Sequence, residues 1–431
     1  MVGLRGIGDT RRPRCCGLLV GLLVGLLVGF LALTIAPFGA LAQDAQWSWF
    51  TWNNATGDWG GVRQDLIEAG ITPSLSYGTD FLANPIGGQE QGSAYSAGLY
   101  ASLNVDLQTL VGLKGTSLFM SGIWDQGRDL SGDSIGNFFD VSNTFNGRSL
   151  RAAQIYLRQQ LWDGDVDFAV GRLSAGDDFA ASDLYAYYVS AAINSNPQSL
   201  ESNTQSFTIA PLVQWGARVS VTPAQDSHIT IGSYLANPDA DDEDGDGLDF
   251  TFDPSDGVLA VAEYGHENPL EGLLTALPGA IRIGGYYDFA DFPKLDDPSI
   301  EESGSFGFYL GGEQMVYRED ASATQGLTAW AAFTFAPQED INAVPFAAYG
   351  GALYRGLLPK RPSDVTALGL YYADFSERLV DQSYEFVVEA NHRFQLAPWL
   401  YITPDMQYVV NPNGGGIPNA LVVGAELGID F

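Results

Sequence analysis

Cysteine is nearly absent from this chain: 431 residues contain two, Cys15 and Cys16, alongside three histidines, His228, His266 and His392. Both cysteines fall in an N-terminal stretch that reads as an export signal. Arg5, Arg11, Arg12 and Arg14 form a positive head, an apolar run follows from Gly17 to Phe38, and Ala40-Leu41-Ala42 supplies a small-residue cleavage pattern. Residues 1–42 are expected to be a signal peptide, and the 389 residues after them hold no thiol. That excludes thiol catalysis, thiolate metal sites and a disulfide framework. Positive charge is scarce as well. Beyond residue 42 there are 16 basic residues against 51 acidic ones, a formal charge of −35, which argues against nucleic-acid binding. Long apolar runs are also missing: after the signal no window approaches 18 consecutive apolar residues, so helical membrane spans are excluded. A membrane β-strand is not, since it needs only about 9 to 11 alternating residues. The three histidines stand on separate segments with no nucleophile motif, and the expectation is a protein that is not an enzyme.

What the chain has is alternation with period two, which sorts side chains onto the two faces of a strand. Leu99, Ala101, Leu103, Val105 and Leu107 interleave with Tyr100, Ser102, Asn104, Asp106 and Gln108. Ile281, Ile283, Tyr287 and Phe289 interleave with Arg282, Tyr286 and Asp288. Sixteen such segments are centred near 76, 102, 119, 155, 169, 214, 231, 262, 284, 310, 330, 349, 370, 390, 404 and 425. Alternate connections are short, such as Asp163-Gly164 and Ala397-Pro398, while others are long and polar, near 83–93, 126–147, 174–205, 238–256 and 292–302. Short turns on one rim, long loops on the other and an even strand count describe an outer-membrane barrel. No repeat of 40 to 50 residues supports a propeller.

The expected fold is all-β, a transmembrane antiparallel β-barrel of about 16 strands over 71–431. Residues 43–70 are expected to form an N-terminal periplasmic segment with a short helix over 58–70, capped by Asp58. The expected location is the outer membrane of a Gram-negative bacterium, surrounded by lipid and lipopolysaccharide. The last strand, with Leu421, Val423, Ala425, Leu427, Ile429 and Phe431 on one face, resembles the signal read by the barrel-assembly machinery.

Several stretches resemble the carbohydrate-selective porins of the OprB type, in order through nearly the whole chain after the signal. They are TGDWGGVR at 56–63, GDDFAAS at 176–182, WGARVSV at 215–221, LPGAIRIGGYYD at 277–288, YRGLLPKRPSD at 354–364 and FQLAPWLYITPDMQYVVNP at 394–412. The resemblance implies sixteen strands, diffusion of sugars through the lumen and a periplasmic segment ahead of the barrel. Where the family often has Cys-Gly-Asn-Pro, this chain has Asn194-Ser195-Asn196-Pro197, so any staple there is missing.

Parity along the strands assigns candidate residues. With Ile155 and Leu157 outward, Gln154, Tyr156, Arg158 and Gln160 face the lumen; the opposite register would put Arg158 in lipid at about 2 to 4 kcal/mol near the midplane. By the same reasoning Arg218, Arg282, Glu389 and Arg393 point inward, with Asp106, Glu263 and Asp288. Of the 16 basic residues, 13 are arginine, whose planar fork matches paired hydroxyls and stacks on rings. These arginines are read as a selectivity set, the alternative being wall braces paired with carboxylates. Tyr100, Tyr156, Trp162 and Tyr286 are candidates for a track on which sugar rings stack, or for an interfacial girdle. The loop near 174–205 is the third on its rim and is expected to fold inward, bringing Gly176, Asp177, Asp178 and Phe179 to a constriction. Asp242, Asp244, Asp246 and Asp253 have calcium-loop spacing, although no helices flank them, so calcium stands beside a plain acidic loop. No other cofactor is expected. The functional expectation is passive diffusion of mono- and small oligosaccharides, with a general unselective porin or a loop-based adhesin as alternatives.

Overall fold

A computed structural model describes residues 48–236, 246–271, 276–320 and 324–431. The expected signal peptide lies outside the described residues. Trp52–Phe431 forms one compact unit, and before it in sequence the described residues form a 3-10 turn, Ser48–Thr51.

Sixteen strands close into a single barrel, each antiparallel to its sequence neighbours and β1 paired with β16. The first eight are β1 (Ile71–Ile86), β2 (Ser93–Asp106), β3 (Thr116–Gly127), β4 (Leu150–Leu161), β5 (Val166–Leu173), β6 (Gln214–Ala224), β7 (Ser227–Leu235) and β8 (Val258–Glu267). The second eight are β9 (Gly279–Pro293), β10 (Glu301–Arg318), β11 (Gly326–Phe335), β12 (Phe346–Arg355), β13 (Val365–Asp374), β14 (Tyr384–Ala397), β15 (Leu400–Val410) and β16 (Ala420–Asp430). Every centre read from the alternation falls inside one of them. On β9 the faces separate as the sequence implies: Ile283, Tyr287 and Phe289 are exposed on the outer surface, while Tyr286 and Asp288 are buried inside.

A short helix, α1 (Val62–Glu68), precedes β1. It begins four residues later than expected because Gly60 and Gly61 adopt left-handed φ values of 69° and 99°, which a helix cannot continue through. Asp58 still serves the helix start, its Oδ1 accepting from the Gln64 N–H at 3.2 Å. The stretch TGDWGGVR wraps onto the barrel seam. Trp59 Nε1 donates to Thr56 Oγ1 at 3.0 Å, the Arg63 guanidinium lies 4.3 Å from the Trp59 ring centroid, and Arg63 Nη2 donates to the Phe431 main-chain oxygen at 2.8 Å. Ala55 N–H adds a bond to Asp430 O at 2.8 Å, at the edge where β16 meets β1.

The main hydrophobic core lies inside the barrel. The second and third long loops, L2 (128–149) and L3 (174–213), turn inward and cover the lumen-facing wall. Phe139 and Val141 of L2 and Tyr188, Val189 and Ile193 of L3 pack against Trp330, Tyr349, Tyr371, Val387 and Val409. A second cluster joins Phe179, Leu200 and Phe207 of L3 to Tyr234, Leu259, Tyr286 and Tyr309. Burial of each such side chain stabilises by about 1.5 to 3 kcal/mol. Parity along the strands could not show this: under the loops the wall is apolar on its inner face as well as its outer one.

Candidate functional site

Main-chain amides of an inward loop need acceptors, and the wall supplies carboxylates. Glu389 on β14 accepts from the N–H groups of Val189 at 2.8 Å and Ser190 at 3.1 Å. Glu263 on β8 accepts from Ala180 N–H at 2.8 Å and from Tyr309 Oη at 2.9 Å. Asp288 on β9 accepts from Gln205 N–H at 3.0 Å. L3 leaves the wall between β5 and β6, so the bond at Glu389 means that it crosses the lumen. L2 crosses too: Glu385 on β14 takes Phe138 N–H at 2.8 Å and Phe139 N–H at 3.0 Å. The sequence reading anticipated an inward L3 but not L2.

Tyr188 keys L3 into the far wall. Its hydroxyl donates to Leu368 O at 3.0 Å and accepts from Trp330 Nε1 at 3.0 Å. The socket exists because Gly351 and Gly369 have no side chain; a Cβ there would lie 2.3 Å from the Tyr188 hydroxyl and 2.6 Å from its ring, respectively.

On the near wall, a charged cluster brings together Arg158, Arg218, Asp177, Asp178 and Tyr156. Arg158 Nε donates to Asp167 Oδ2 at 2.7 Å, and Arg218 pairs with Asp167 and, through Nε at 2.9 Å, with Asp178. Gln154 donates to Asp177, and the Tyr156 ring packs at a tilt against Phe119 with centroids 5.1 Å apart. The two arginines differ in access: the Arg158 side chain is 44% exposed and that of Arg218 10%. Asp177 still reaches the lumen water, but the loop and wall packed around its carboxyl desolvate it and push it up to about 6, the Gln154 bond offsetting part of the rise and the Asp178 charge adding to it. Burial also raises Asp178, against the pull of Arg218.

The other two candidate arginines lie elsewhere on the wall. Arg282 contacts Glu313 at 3.4 Å, and the Ser182 hydroxyl of L3 donates to the same carboxylate. Arg393 lies between rings, 4.0 Å from the Tyr401 centroid and 4.9 Å from that of Tyr187. It donates to Ala186 O at 2.6 Å and to Glu426 Oε1 at 3.2 Å. Arg355 reaches Tyr187 from another strand, Nη2 to Oη at 2.6 Å. Each of the four arginines named from sequence therefore has an acidic partner. Asp178 was among the residues named from sequence, while Asp167, Glu313 and Glu426, with Tyr187 and Arg355, were missed, since pairing across strands depends on register and on the path of L3.

Five residues expected at the channel lie elsewhere. Tyr286 is 6% exposed beneath L3, in the apolar cluster with Phe179, and offers no ring to the channel; Phe179 is fully buried with it. Trp162 is 73% exposed in the turn between β4 and β5, outside any lumen track. Glu389 is buried and engaged by L3 amides. Asp106 caps the short helix Leu107–Val111, accepting from Gln108 N–H at 2.9 Å. Of the calcium-loop residues, Asp242 and Asp244 lie outside the described residues. Asp246 and Asp253 accept the N–H groups of Leu248 and Ser255, each at 2.9 Å. Among the described residues no three carboxylate or imidazole groups converge as a metal-binding set.

A closed sixteen-stranded barrel with loops folded into its lumen is an outer-membrane diffusion channel of the porin class. Residues 90–431 match the carbohydrate-selective porin, OprB family, and the chain belongs to that family. It is 26% identical over 420 residues to Porin B of Pseudomonas aeruginosa, covering 86% of this chain and 90% of that one. It is 23% identical over 428 residues to the putative porin QuiX of Acinetobacter baylyi, covering 90% and 94%. The high-pH structure of Pseudomonas putida OprB superposes with a TM-score of 0.82 at 24% identity, over 88% of this chain and 99% of that one. The chain is thus an outer-membrane porin of a Gram-negative bacterium and a channel by family.

Proposed function

We propose that this porin passes mono- and small oligosaccharides by passive diffusion, and that its selectivity is set where L3 meets the wall. The observation that carries the reading is the crossing of L3 from β5 and β6 to its anchor on Glu389, which narrows the lumen beside charged side chains. Arg158, the most exposed of the four arginines, presents guanidinium N–H groups next to Asp167, a donor and acceptor pair suited to vicinal hydroxyls. Arg282 with Glu313, and Arg393 between Tyr187 and Tyr401, repeat the pairing at other points. Selectivity on this reading belongs to arginine and carboxylate pairs rather than to arginines alone.

The test is single-channel current in planar bilayers with added sugar, together with liposome swelling. The double substitution Arg158→Ala with Arg282→Ala is expected to weaken sugar block and to shift ion selectivity toward cations, because Asp167 and Glu313 lose a counter-charge. Unchanged block and selectivity in a normally folded double variant would show that the arginines only brace the wall. Absence of any sugar block in the parent would favour a general porin, and absence of conductance an adhesin.

A further inference from the structure

The described part of the fourth long loop, residues 246–257 of L4, has an unexpected course. Its connecting role needs only β7 and β8, yet residues 246–252 lie over β4, β5 and β6. Asp246 O accepts from Ala152 N–H at 2.8 Å, on the part of β4 that extends beyond the end of β5. The Gly247 carbonyl accepts from Arg172, and the Arg172 guanidinium stands 5.0 Å from the Phe250 ring centroid. Trp215 Nε1 donates to Phe250 O at 3.3 Å, and the Trp215 and Phe252 rings are 6.2 Å apart.

Parity shows which side of the barrel this is. On β5, Asp167 and Ala169 face the lumen, while Phe168 and Val170 are exposed outward; Arg172 shares the outward face. It pairs in register with Ile155 and Trp215, which point the same way. Arg172 is therefore an arginine on the lipid-facing side, and L4 buries it under a carbonyl and a ring.

The segment itself alternates. Leu248, Phe250 and Phe252 occupy one set of positions and Asp249, Thr251 and Asp253 the other. Leu248 is 60% and Phe252 65% exposed, although both are large and apolar. They continue an outer surface that already exposes Trp124, Leu150, Phe168 and Val170 on β3, β4 and β5.

We propose that residues 246–253 are an outer-leaflet anchor: a turn-rich amphipathic strap outside the rim, with Leu248, Phe250 and Phe252 among the acyl chains just below the headgroups. The apolar row continues the lipid-facing belt, and the aspartates that alternate with it in sequence supply the polar positions that interfacial segments require. A second copy is the weaker occupant, because a symmetric contact would bring Asp249 and Asp253 of two strongly acidic chains together.

The experiment places an environment-sensitive fluorophore, one position at a time, on Leu248→Cys, Asp249→Cys, Phe252→Cys and Asp253→Cys, in a chain carrying Cys15→Ser and Cys16→Ser. Each is reconstituted in vesicles of mid-chain brominated lipid, and folding is checked by slower migration after boiling. Labels at 248 and 252 are expected to emit to the blue, to be quenched by the brominated chains and to resist aqueous iodide, with the reverse at 249 and 253. Equal iodide quenching at all four positions, with no effect of bromine, would overturn the anchor. Iodide protection at 248 and 252 that disappears as protein is diluted in the bilayer would also overturn it, in favour of a second copy.

Discussion

Arg158 and Arg218 share one carboxylate, and their exposures give them different duties. Removing Arg218 leaves Asp167 and Asp178 short of a buried partner, so Arg218→Ala is expected to destabilise the barrel by about 3 kcal/mol, read as a lower urea midpoint in detergent. Arg158→Ala leaves Asp167 its bond to Arg218, so the stability change is expected to stay under about 1 kcal/mol while sugar block weakens. Asp177 supplies a pH dependence. Its pKa in the folded chain, about 6, is raised, so it is ionised at pH 7.5 and neutral by pH 4.5. Cation selectivity, read as a reversal potential, is expected to fall over that interval, and Asp177→Asn should remove the step. The linked stability change has the opposite sign: folding favours the protonated form, so this group's contribution rises as pH falls through 6. At this scale the sequence was informative where parity alone decides. It turned Arg158, Arg218, Arg282 and Arg393 inward, but Asp167, Glu313 and Glu426 became partners only through register. Tyr286 was misjudged because parity says inside, and inside here includes the space beneath a loop.

Elements are held by a rule not visible in the alternation: wall carboxylates terminate loop amides. Replacing Glu389 and Glu263 together by alanine removes acceptors for Val189, Ser190 and Ala180. Single-channel conductance is expected to rise and become noisier as L3 leaves the lumen, with sugar block lost. Gly351→Ala probes the other fastening, since a methyl group there meets the Tyr188 hydroxyl; overpacking of this kind costs roughly 1 to 3 kcal/mol. Its expected signature is an open-channel current between those of the parent and the double glutamate variant. The sixteen strands were legible because each crosses the membrane with one face in lipid, which imposes period two. The inward course of L2 and the points where L3 fastens to the far wall were not, because their apolar residues, such as Phe139 and Tyr188, have no period and meet partners far away in sequence.

For the molecule as a whole, the decisive join is between its first and last strands. Arg63 holds the Phe431 main-chain oxygen and Ala55 extends the ladder at Asp430, so residues 55–63 fasten a seam that strand pairing alone would leave to fray. Arg63→Ala is expected to lower the temperature at which the unboiled, fast-migrating band is lost in gel electrophoresis, with conductance at room temperature unchanged. An outer-membrane barrel was readable from sequence at this scale, since charge, loop asymmetry and the final strand agreed. The seam contact was not, because it joins residues more than 360 positions apart.

The apolar packing of L2 and L3 inside the barrel has a thermal consequence. A pore whose width is fixed by hydrophobic contacts has a calibre governed by a folding equilibrium, and that equilibrium carries a heat capacity. Hydrophobic attraction weakens on cooling, while chain entropy opposes the packed loop on heating. Conductance corrected for the viscosity of water is therefore expected to pass through a minimum at an intermediate temperature and to rise on either side of it. A rigid polar ring would show only the monotonic change due to the viscosity of water.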